Sequence, residues 1–173
     1  MITSAERQAQ IRMALQDGAA PISATAFGKR FGVSRQTIVG DVALMRARGE
    51  QIVATPRGYM YTTEDAHTAI IVCRHTPQQA GDELARVIDN GGAVLDVMVD
   101  HPLYGQLRGE LQIHTQTDIN LFLARMQEGH GKMLSELTGG VHLHTIAYDT
   151  PAQLTAIKQA LRESGYLYEE TSR

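Results

Sequence analysis

The chain has 173 residues, one cysteine and no tryptophan, and its 16 basic and 19 acidic residues give a net charge of −3. A single cysteine excludes an internal disulfide, and no apolar run is long enough to span a membrane, so we expect a reducing, cytoplasmic location. Residues 1–62 carry eight basic and four acidic residues, a net +4, whereas the remainder carries eight and fifteen, a net −7. This asymmetry predicts a nucleic-acid-binding module joined to a domain with a different task.

Residues 1–62 predict a winged helix-turn-helix. Apolar residues at helical spacing indicate helices over 4–16, 23–31 and 34–48, with a glycine-containing turn between the second and the third. A hairpin over 50–61, with its turn at Arg57-Gly58, follows as the wing. The side chains predicted to contact DNA lie at the start of the third helix and on the wing: Ser34, Arg35, Gln36, Thr37 and Arg57. The alternative is a helical packing or dimerisation module with a solvated, charged face.

The acidic part predicts an α+β domain over 67–173. In chain order, the pattern predicts a strand over 69–73, a helix opened by Thr76-Pro77 and ending near Asn90, strands over 93–99 and 107–113, a helix from Thr117, a loop over 128–132, a strand over 141–147 and a last helix capped by Thr150-Pro151. Alternation over 107–113 favours a strand with one solvated face. The order β-α-β-β-α-β-α fits a four-stranded sheet covered by helices on one face.

The segment Val141-His142-Leu143-His144 has the most specific chemistry. Alternate residues of a strand face the same side, so the two imidazoles lie about 6 to 7 Å apart at Cα and could ligate one ion. His75 ends a strand that can neighbour this one, and Glu83 lies on the following helix. Three imidazoles and a carboxylate suit zinc or nickel better than magnesium or calcium. The pattern leaves open the alternative that these histidines are only hydrogen-bonded in a half-buried sheet.

The other histidines are assigned by their position in the predicted elements. His101, in the loop after the second strand of this domain, is a further candidate for the pocket. His67, His114 and His130 fit linker, exposed-strand and loop positions.

Four stretches of the chain carry a family resemblance: VSRQTIVGDVALMRARGEQIVATPRGYMY, IIVCRHTPQQAGDEL, VMVDHPLYGQL and LTGGVHLHTI. Together they resemble the niacin-responsive transcription repressors of the NiaR type, which join a helix-turn-helix to a three-histidine (3H) domain. The resemblance implies a metal site formed by His75, Glu83, His142 and His144, and a C-terminal fold similar to the phosphocarrier HPr. It also implies a repressor rather than an enzyme, with nicotinic acid or nicotinamide as co-repressor of niacin-uptake or NAD-synthesis genes.

A mechanism follows from this resemblance as a hypothesis. A pyridine nitrogen is chemically similar to imidazole, so nicotinate could bind the ion directly, with its carboxylate met by Arg74, Arg108 or His101. The effector would favour the homodimer geometry that matches operator DNA. Two alternatives stay open: a repressor that senses the metal alone, and a metal-dependent hydrolase fused to a DNA-binding domain, with Glu83 as general base. The sequence has no nucleophile elbow, phosphate loop or His-Glu-x-x-His motif to support the hydrolase.

Overall fold

In a computed structural model, the chain is described at residues 1–18, 20–62, 67–129 and 133–169. It divides into two compact units, residues 1–64 and 65–173. No helix in these described ranges is long and apolar enough to cross a membrane.

The first unit consists of three helices followed by a hairpin: α1 (Ser4–Asp17), α2 (Ala24–Phe31), α3 (Arg35–Ala47), β1 (Ile52–Thr55) and β2 (Gly58–Tyr61). Each helix begins at a hydroxyl side chain, Thr3, Ser23 or Ser34, which accepts a backbone N–H from the first turn. Gly32, at φ 68°, ends α2 in the left-handed conformation and makes the tight turn into α3. The core draws on all five elements: Ile11, Leu15, Ala24, Phe27, Ile38, Val42, Met45, Ile52 and Tyr59.

Asp41 joins α3 to α1. Its buried carboxylate accepts hydrogen bonds from Ser4 Oγ at 2.7 Å, Arg7 Nε at 2.7 Å and Gln8 Nε2 at 3.4 Å. Burial raises the pKa of this carboxyl, but the hydrogen bonds from Arg7, Ser4 and Gln8 outweigh burial and hold the pKa below its ordinary value. Arg48 adds a second connection, because its guanidinium donates to Gln8 Oε1 at 2.6 Å. Polar contacts on the α1 side therefore help to fix the orientation of α3.

The second unit alternates strands and helices: β3 (Thr68–Arg74), α4 (Ala80–Asp89), β4 (Ala93–His101), β5 (Gly105–Ile113), α5 (Gln116–Gln127), β6 (Val141–Ala147) and α6 (Pro151–Glu163). The four strands form one antiparallel sheet in the order β3-β6-β4-β5. Its core combines strand residues with residues from α4, α5 and α6: Ile71, Leu84, Val87, Val94, Ile113, Ile119, Ile146, Ile157 and Leu161. The element order is the one predicted from the sequence.

The structure differs from the sequence prediction in several details. The helix opened by Thr76-Pro77 starts as a 3-10 turn over Pro77–Gln79, and α4 proper begins at Ala80. His101 was predicted in a loop but is the last residue of β4, where it pairs with Gly105. A 3-10 helix at Leu134–Thr138 was not predicted, and part of the predicted loop over 128–132 lies outside the described residues.

Two irregularities interrupt the sheet around β4. Between Val94 and Met98, β4 advances four residues while β6 advances only three, from Ile146 to Leu143. The second irregularity is in β5, where Gln112 has a φ of 50° and the pairing with β4 shifts. The alternation predicted for β5 holds in its burial, with Leu111 and Ile113 buried, although a bulge inserts one extra residue opposite β4.

Candidate metal centre and DNA-binding surface

Three imidazoles converge on one buried carboxylate between the sheet and α4. His142 and His144 are alternate residues of β6, His75 follows β3, and Glu83 lies on α4; all four are buried. The Nε2 atoms of His75 and His142 lie 2.7 Å and 2.9 Å from Glu83 Oε2. The Nε2 atom of His144 lies 2.9 Å from Glu83 Oε1. The structure thus brings together the four side chains that the sequence suggested as ligands.

Strand pairing and a close backbone contact produce this convergence. β3 and β6 are antiparallel neighbours with Cys73 opposite His142, so these two side chains share one face of the sheet. Gly140, at φ 100°, leads into β6, and a Cβ there would lie 2.5 Å from the carbonyl oxygen of His75. Only glycine allows this approach, which brings the start of β6 against the His75 backbone.

The second ring nitrogen of each histidine fixes its tautomer. Each Nδ1 lies within hydrogen-bond distance of a backbone carbonyl oxygen: His75 with Thr76 at 2.7 Å, His142 with Gly140 at 2.7 Å and His144 with Asp96 at 2.6 Å. A carbonyl oxygen only accepts, so each Nδ1 donates, and in the neutral ring the lone pair is on Nε2. This is the usual arrangement of histidines that bind a metal through Nε2.

His75 shows most directly that the cluster fits a cation. Its Nε2 is buried and makes no hydrogen bond to any described residue, although it lies 2.7 Å from Glu83 Oε2. A neutral imidazole lone pair and a carboxylate oxygen are both acceptors, so they repel each other at this distance. A proton or a metal ion between them relieves the repulsion, and a donor set of three nitrogens and one oxygen suits a borderline divalent ion.

The charges within the cluster also favour a bound cation. Burial raises the pKa of Glu83, but the charge of His144 and the close contacts with His142, His144 and His75 hold that pKa well below its ordinary value. Burial lowers the pKa values of His75 and His144, but Glu83 outweighs it, so both lie above the ordinary value. Glu83 therefore stays ionised and attracts positive charge to the Nε2 atoms.

Cys73 belongs to the same cluster and was not among the predicted ligands. Its Sγ, a carboxylate oxygen of Glu83 and a ring nitrogen of His142 all lie within 4.8 Å of one another. Burial, and then the negative charge of Glu83, raise the pKa of this thiol. In the sequence, Cys73 is the last residue of an apolar run that predicts a strand, and nothing in that run marks it as a ligand. Only the pairing of Cys73 with His142 reveals its position at the site.

The residues predicted to bind the effector have separate surroundings. Arg108 donates to Asp96 Oδ2 at 2.9 Å and also forms an ion pair with Glu110. His101 Nδ1 accepts the backbone N–H groups of Leu103 and Tyr104 at 3.1 Å and 3.3 Å, within the turn between β4 and β5. Arg74 is exposed at the end of β3, next to His75. Their part in effector binding stays a prediction.

Two further histidines, His67 and His114, lie apart from the cluster. His67 stacks on Tyr148 with ring centroids 5.7 Å apart. His114 is exposed beyond the end of β5, and its Nε2 lies 3.1 Å from Gln112 Oε1. His130 lies outside the described residues.

The predicted DNA contacts lie at the start of α3 and on the hairpin. Arg35 and Gln36 are exposed in the first turn of α3. Ser34 caps this helix through the backbone N–H of Thr37, and the two hydroxyl oxygens are 2.9 Å apart. Arg57 is exposed in the turn between β1 and β2, where its backbone N–H donates to Thr55 Oγ1 at 3.2 Å.

Several arginines of the first unit stabilise the unit itself. Arg7 pairs with Asp41, Arg12 with Glu50, Arg46 with the carbonyl oxygen of Ile52 and Arg48 with Gln8. The other four basic residues lie on the surface: Lys29, Arg30, Arg35 and Arg57. The net charge of +4 therefore does not measure the charge directed at DNA.

Comparisons with known proteins identify both units. The HTH domain family matches residues 7–60, and the 3H domain family matches residues 68–170. The chain is 36% identical over 166 residues, 95% of each chain, to the probable transcription repressor NiaR of Thermotoga maritima. It is 33% identical over 174 residues to the transcription repressor NadR of Bacillus subtilis, covering 98% of this chain and 97% of that one.

The comparisons also bear on fold and enzymatic activity. They confirm the α+β fold class, with a helix-turn-helix region followed by a domain built on an antiparallel sheet. Both relatives are named as repressors, which confirms the expectation of a regulator rather than an enzyme and leaves the hydrolase alternative without support. The chain therefore belongs to the family of 3H-domain transcription repressors that includes NiaR and NadR.

Proposed function

We propose that this protein is a metal-dependent, niacin-responsive repressor of niacin-uptake or NAD-biosynthesis genes. The observation that carries the metal dependence is the convergence of three Nε2 atoms, each with its tautomer set by a backbone carbonyl, on the buried carboxylate of Glu83. The ligands in this proposal are His75, Glu83, His142 and His144, and the ion is zinc or nickel. The niacin effector is supported by the sequence resemblance.

The effector would bind at the end of the sheet where the cluster lies. Arg74 pairs with Val141, at the start of β6. Arg108 pairs with Met98, which in turn pairs with Leu143, so Arg108 lies two strands from the histidine pair of β6. His101 is the last residue of β4. Because β4 and β6 are antiparallel, it lies at the end of the sheet where β6 begins. Val141 and Leu143 alternate with His142 and His144, so Arg74 and Arg108 lie on the face of the sheet opposite the histidine pair. In this proposal the pyridine nitrogen of nicotinic acid or nicotinamide would bind the ion, and its carboxylate or amide would reach these arginines only around the end of the sheet.

The DNA-binding half of the proposal rests on the surface of α3 and the wing. Arg35 and Gln36 have the side chains that read guanine and adenine in the major groove, and Ser34, Thr37 and Arg57 are suited to phosphate contacts. Helix-turn-helix repressors read paired half-sites as dimers, so we expect a homodimer on operator DNA in the cytoplasm.

A DNA-binding titration tests the proposal with the full chain. Duplexes selected by the protein from a random library, in the presence of zinc or nickel and nicotinate, serve as the probe in fluorescence anisotropy. We expect tight binding only when metal and nicotinate, or metal and nicotinamide, are both present. Full affinity with metal alone would exclude the niacin effector and favour a repressor that senses metal.

A pair of histidine variants tests the site itself. His144→Ala removes a buried metal-binding nitrogen and should abolish the increase in DNA binding caused by metal and nicotinate. His114→Ala is the matched control, because His114 is exposed and away from the cluster. Equal responses in the two variants would contradict the proposed site. Calorimetric titration of nicotinate should give heat with metal-loaded protein and none after chelation.

A further inference from the structure

We infer that Cys73 is a sulfur ligand of the same metal ion, an inference that rests on the proposed metal site. The Sγ atom lies within 4.8 Å of both a Glu83 carboxylate oxygen and a His142 ring nitrogen. Sulfur and nitrogen donors on one zinc ion lie no more than about 4.4 Å apart, given bond lengths of about 2.3 Å and 2.1 Å. The cluster is therefore close to ligand spacing without a change of fold.

Two matching pairs of donors on neighbouring strands support this inference. Cys73 and His75 are two residues apart at the end of β3, as His142 and His144 are two residues apart on β6. Cys73 lies opposite His142 in the register, and Gly140 brings the start of β6 against the His75 backbone. The two pairs form a four-donor patch on the sheet, and α4 supplies Glu83 to it. Without Cys73, this patch has only three metal-binding side chains.

The thiol lies where the hydrophobic core meets the polar cluster. Cys73 is fully buried and, like Ile71 on the same face of β3, belongs to the hydrophobic core. Its Sγ also lies within 4.8 Å of a carboxylate oxygen of Glu83, a charged neighbour that packing alone does not require. When the sulfur–metal bond forms, the thiol proton passes to solvent and the sulfur donates as a thiolate.

A sulfur donor changes which ion the site prefers. Thiolate selects zinc and cadmium over oxygen-preferring ions such as manganese, whereas imidazole and carboxylate alone discriminate less. The ion would then have five protein atoms available as ligands: three nitrogens, one oxygen and one sulfur.

X-ray absorption on the zinc-loaded, full-length wild-type protein tests this inference without a variant. We expect a sulfur shell at about 2.3 Å besides nitrogen and oxygen at about 2.0–2.1 Å. The chain has a single cysteine, so a thiolate sulfur is assigned without ambiguity. A shell of nitrogen and oxygen alone would overturn the inference and leave the four-ligand site intact. Failure to retain zinc after dialysis would overturn the metal site and the inference together.

Cobalt-loaded variants give a second, independent readout. Wild-type protein should show a near-ultraviolet sulfur-to-cobalt charge-transfer band, which Cys73→Ser and Cys73→Ala should lose while they keep the visible bands of bound cobalt. The preference for cadmium over manganese should fall about tenfold or more in Cys73→Ser. A band that persists in either variant, or an unchanged preference, would overturn the inference. If both variants misfold, as judged by circular dichroism, the absorption experiment on wild type decides.

Discussion

Replacing Asp41 by asparagine should weaken the first unit more than any exposed charge change. The side chains of Arg7 and Asp41 are 11% and 4% exposed, and the guanidinium donates to both carboxylate oxygens, at 2.7 Å and 3.3 Å. Removing one partner of a buried ion pair costs about 3–5 kcal/mol. The amide oxygen of asparagine still accepts, and Arg7 keeps its hydrogen bond to the Ile2 carbonyl oxygen, so we expect a loss near the lower limit, about 3 kcal/mol.

This loss is large for a unit of this size. A domain of about 60 residues has a total stability of about 3–9 kcal/mol. At about 4–8 °C per kcal/mol, the transition of the first unit should fall by about 12 °C or more. Because the folded-state pKa of Asp41 is lowered, its contribution is complete above the unfolded-state pKa of about 3.9. The difference between variant and wild type should therefore disappear as the pH falls through the folded-state pKa.

Hydrogen exchange measured by mass spectrometry on the full chain locates the effect. Peptides from residues 1–62 should exchange faster in Asp41→Asn, and peptides from residues 67–129 should not change. Glu169→Gln is the control, since it breaks the exposed pair between Glu169 and Arg162 and should leave exchange in residues 1–62 unchanged. Wild-type exchange rates and an unchanged melting temperature in Asp41→Asn at pH 7 would refute the reasoning.

Three further predictions concern the recognition helix and the metal. Gly40→Ala should raise the stability of the first unit by about 0.5–1 kcal/mol in urea unfolding, because a Cβ at Gly40, inside α3, meets no described atom within 4 Å; a lower stability would contradict this. Arg35→Ala should weaken operator binding by about 1–3 kcal/mol and relax the sequence preference. Arg162→Ala, which removes an exposed cation paired with Glu169 in the second unit, should leave that preference intact, and equal effects of both substitutions in anisotropy titrations would argue against Arg35 as a base contact. Removing the metal with a chelator should lower the melting temperature of the second unit, since an ion present at 1,000 times its Kd stabilises by about 4 kcal/mol; an unchanged melting temperature would count against the site.

The order of the elements was predictable from the sequence because it is encoded locally. A helix cap such as Thr150, and the spacing of apolar side chains, are read within a few residues. The irregular pairing of β4 was not predictable, because a bulge depends on the partner strand. Asp96, at this irregularity, accepts both the backbone N–H and the hydroxyl of Thr145 at 2.8 Å. A one-strand pattern contains no information about such a contact.

The candidate site was predictable only in part, for a similar reason. His142 and His144 are recognisable from their spacing alone, whereas Cys73 resembles any small buried residue until its strand is paired with β6. The charge tally predicted the DNA-binding module correctly, although it included Arg7, whose side chain is paired with Asp41 within the fold. Composition does not separate a cation that faces solvent from one that is paired within the fold.

The three carbonyl groups that orient the imidazoles have a consequence for mutational studies. They belong to Thr76, Gly140 and Asp96, on three separate segments of the second unit. A side-chain substitution cannot delete a main-chain oxygen. An alanine scan would therefore detect the metal-binding histidines and overlook the carbonyl groups that orient them. The same geometry gives the site a mechanical connection to the fold. Any sliding of β4 along β6 moves the Asp96 carbonyl relative to His144, so ion binding would be sensitive to strand displacement as well as to ligand identity.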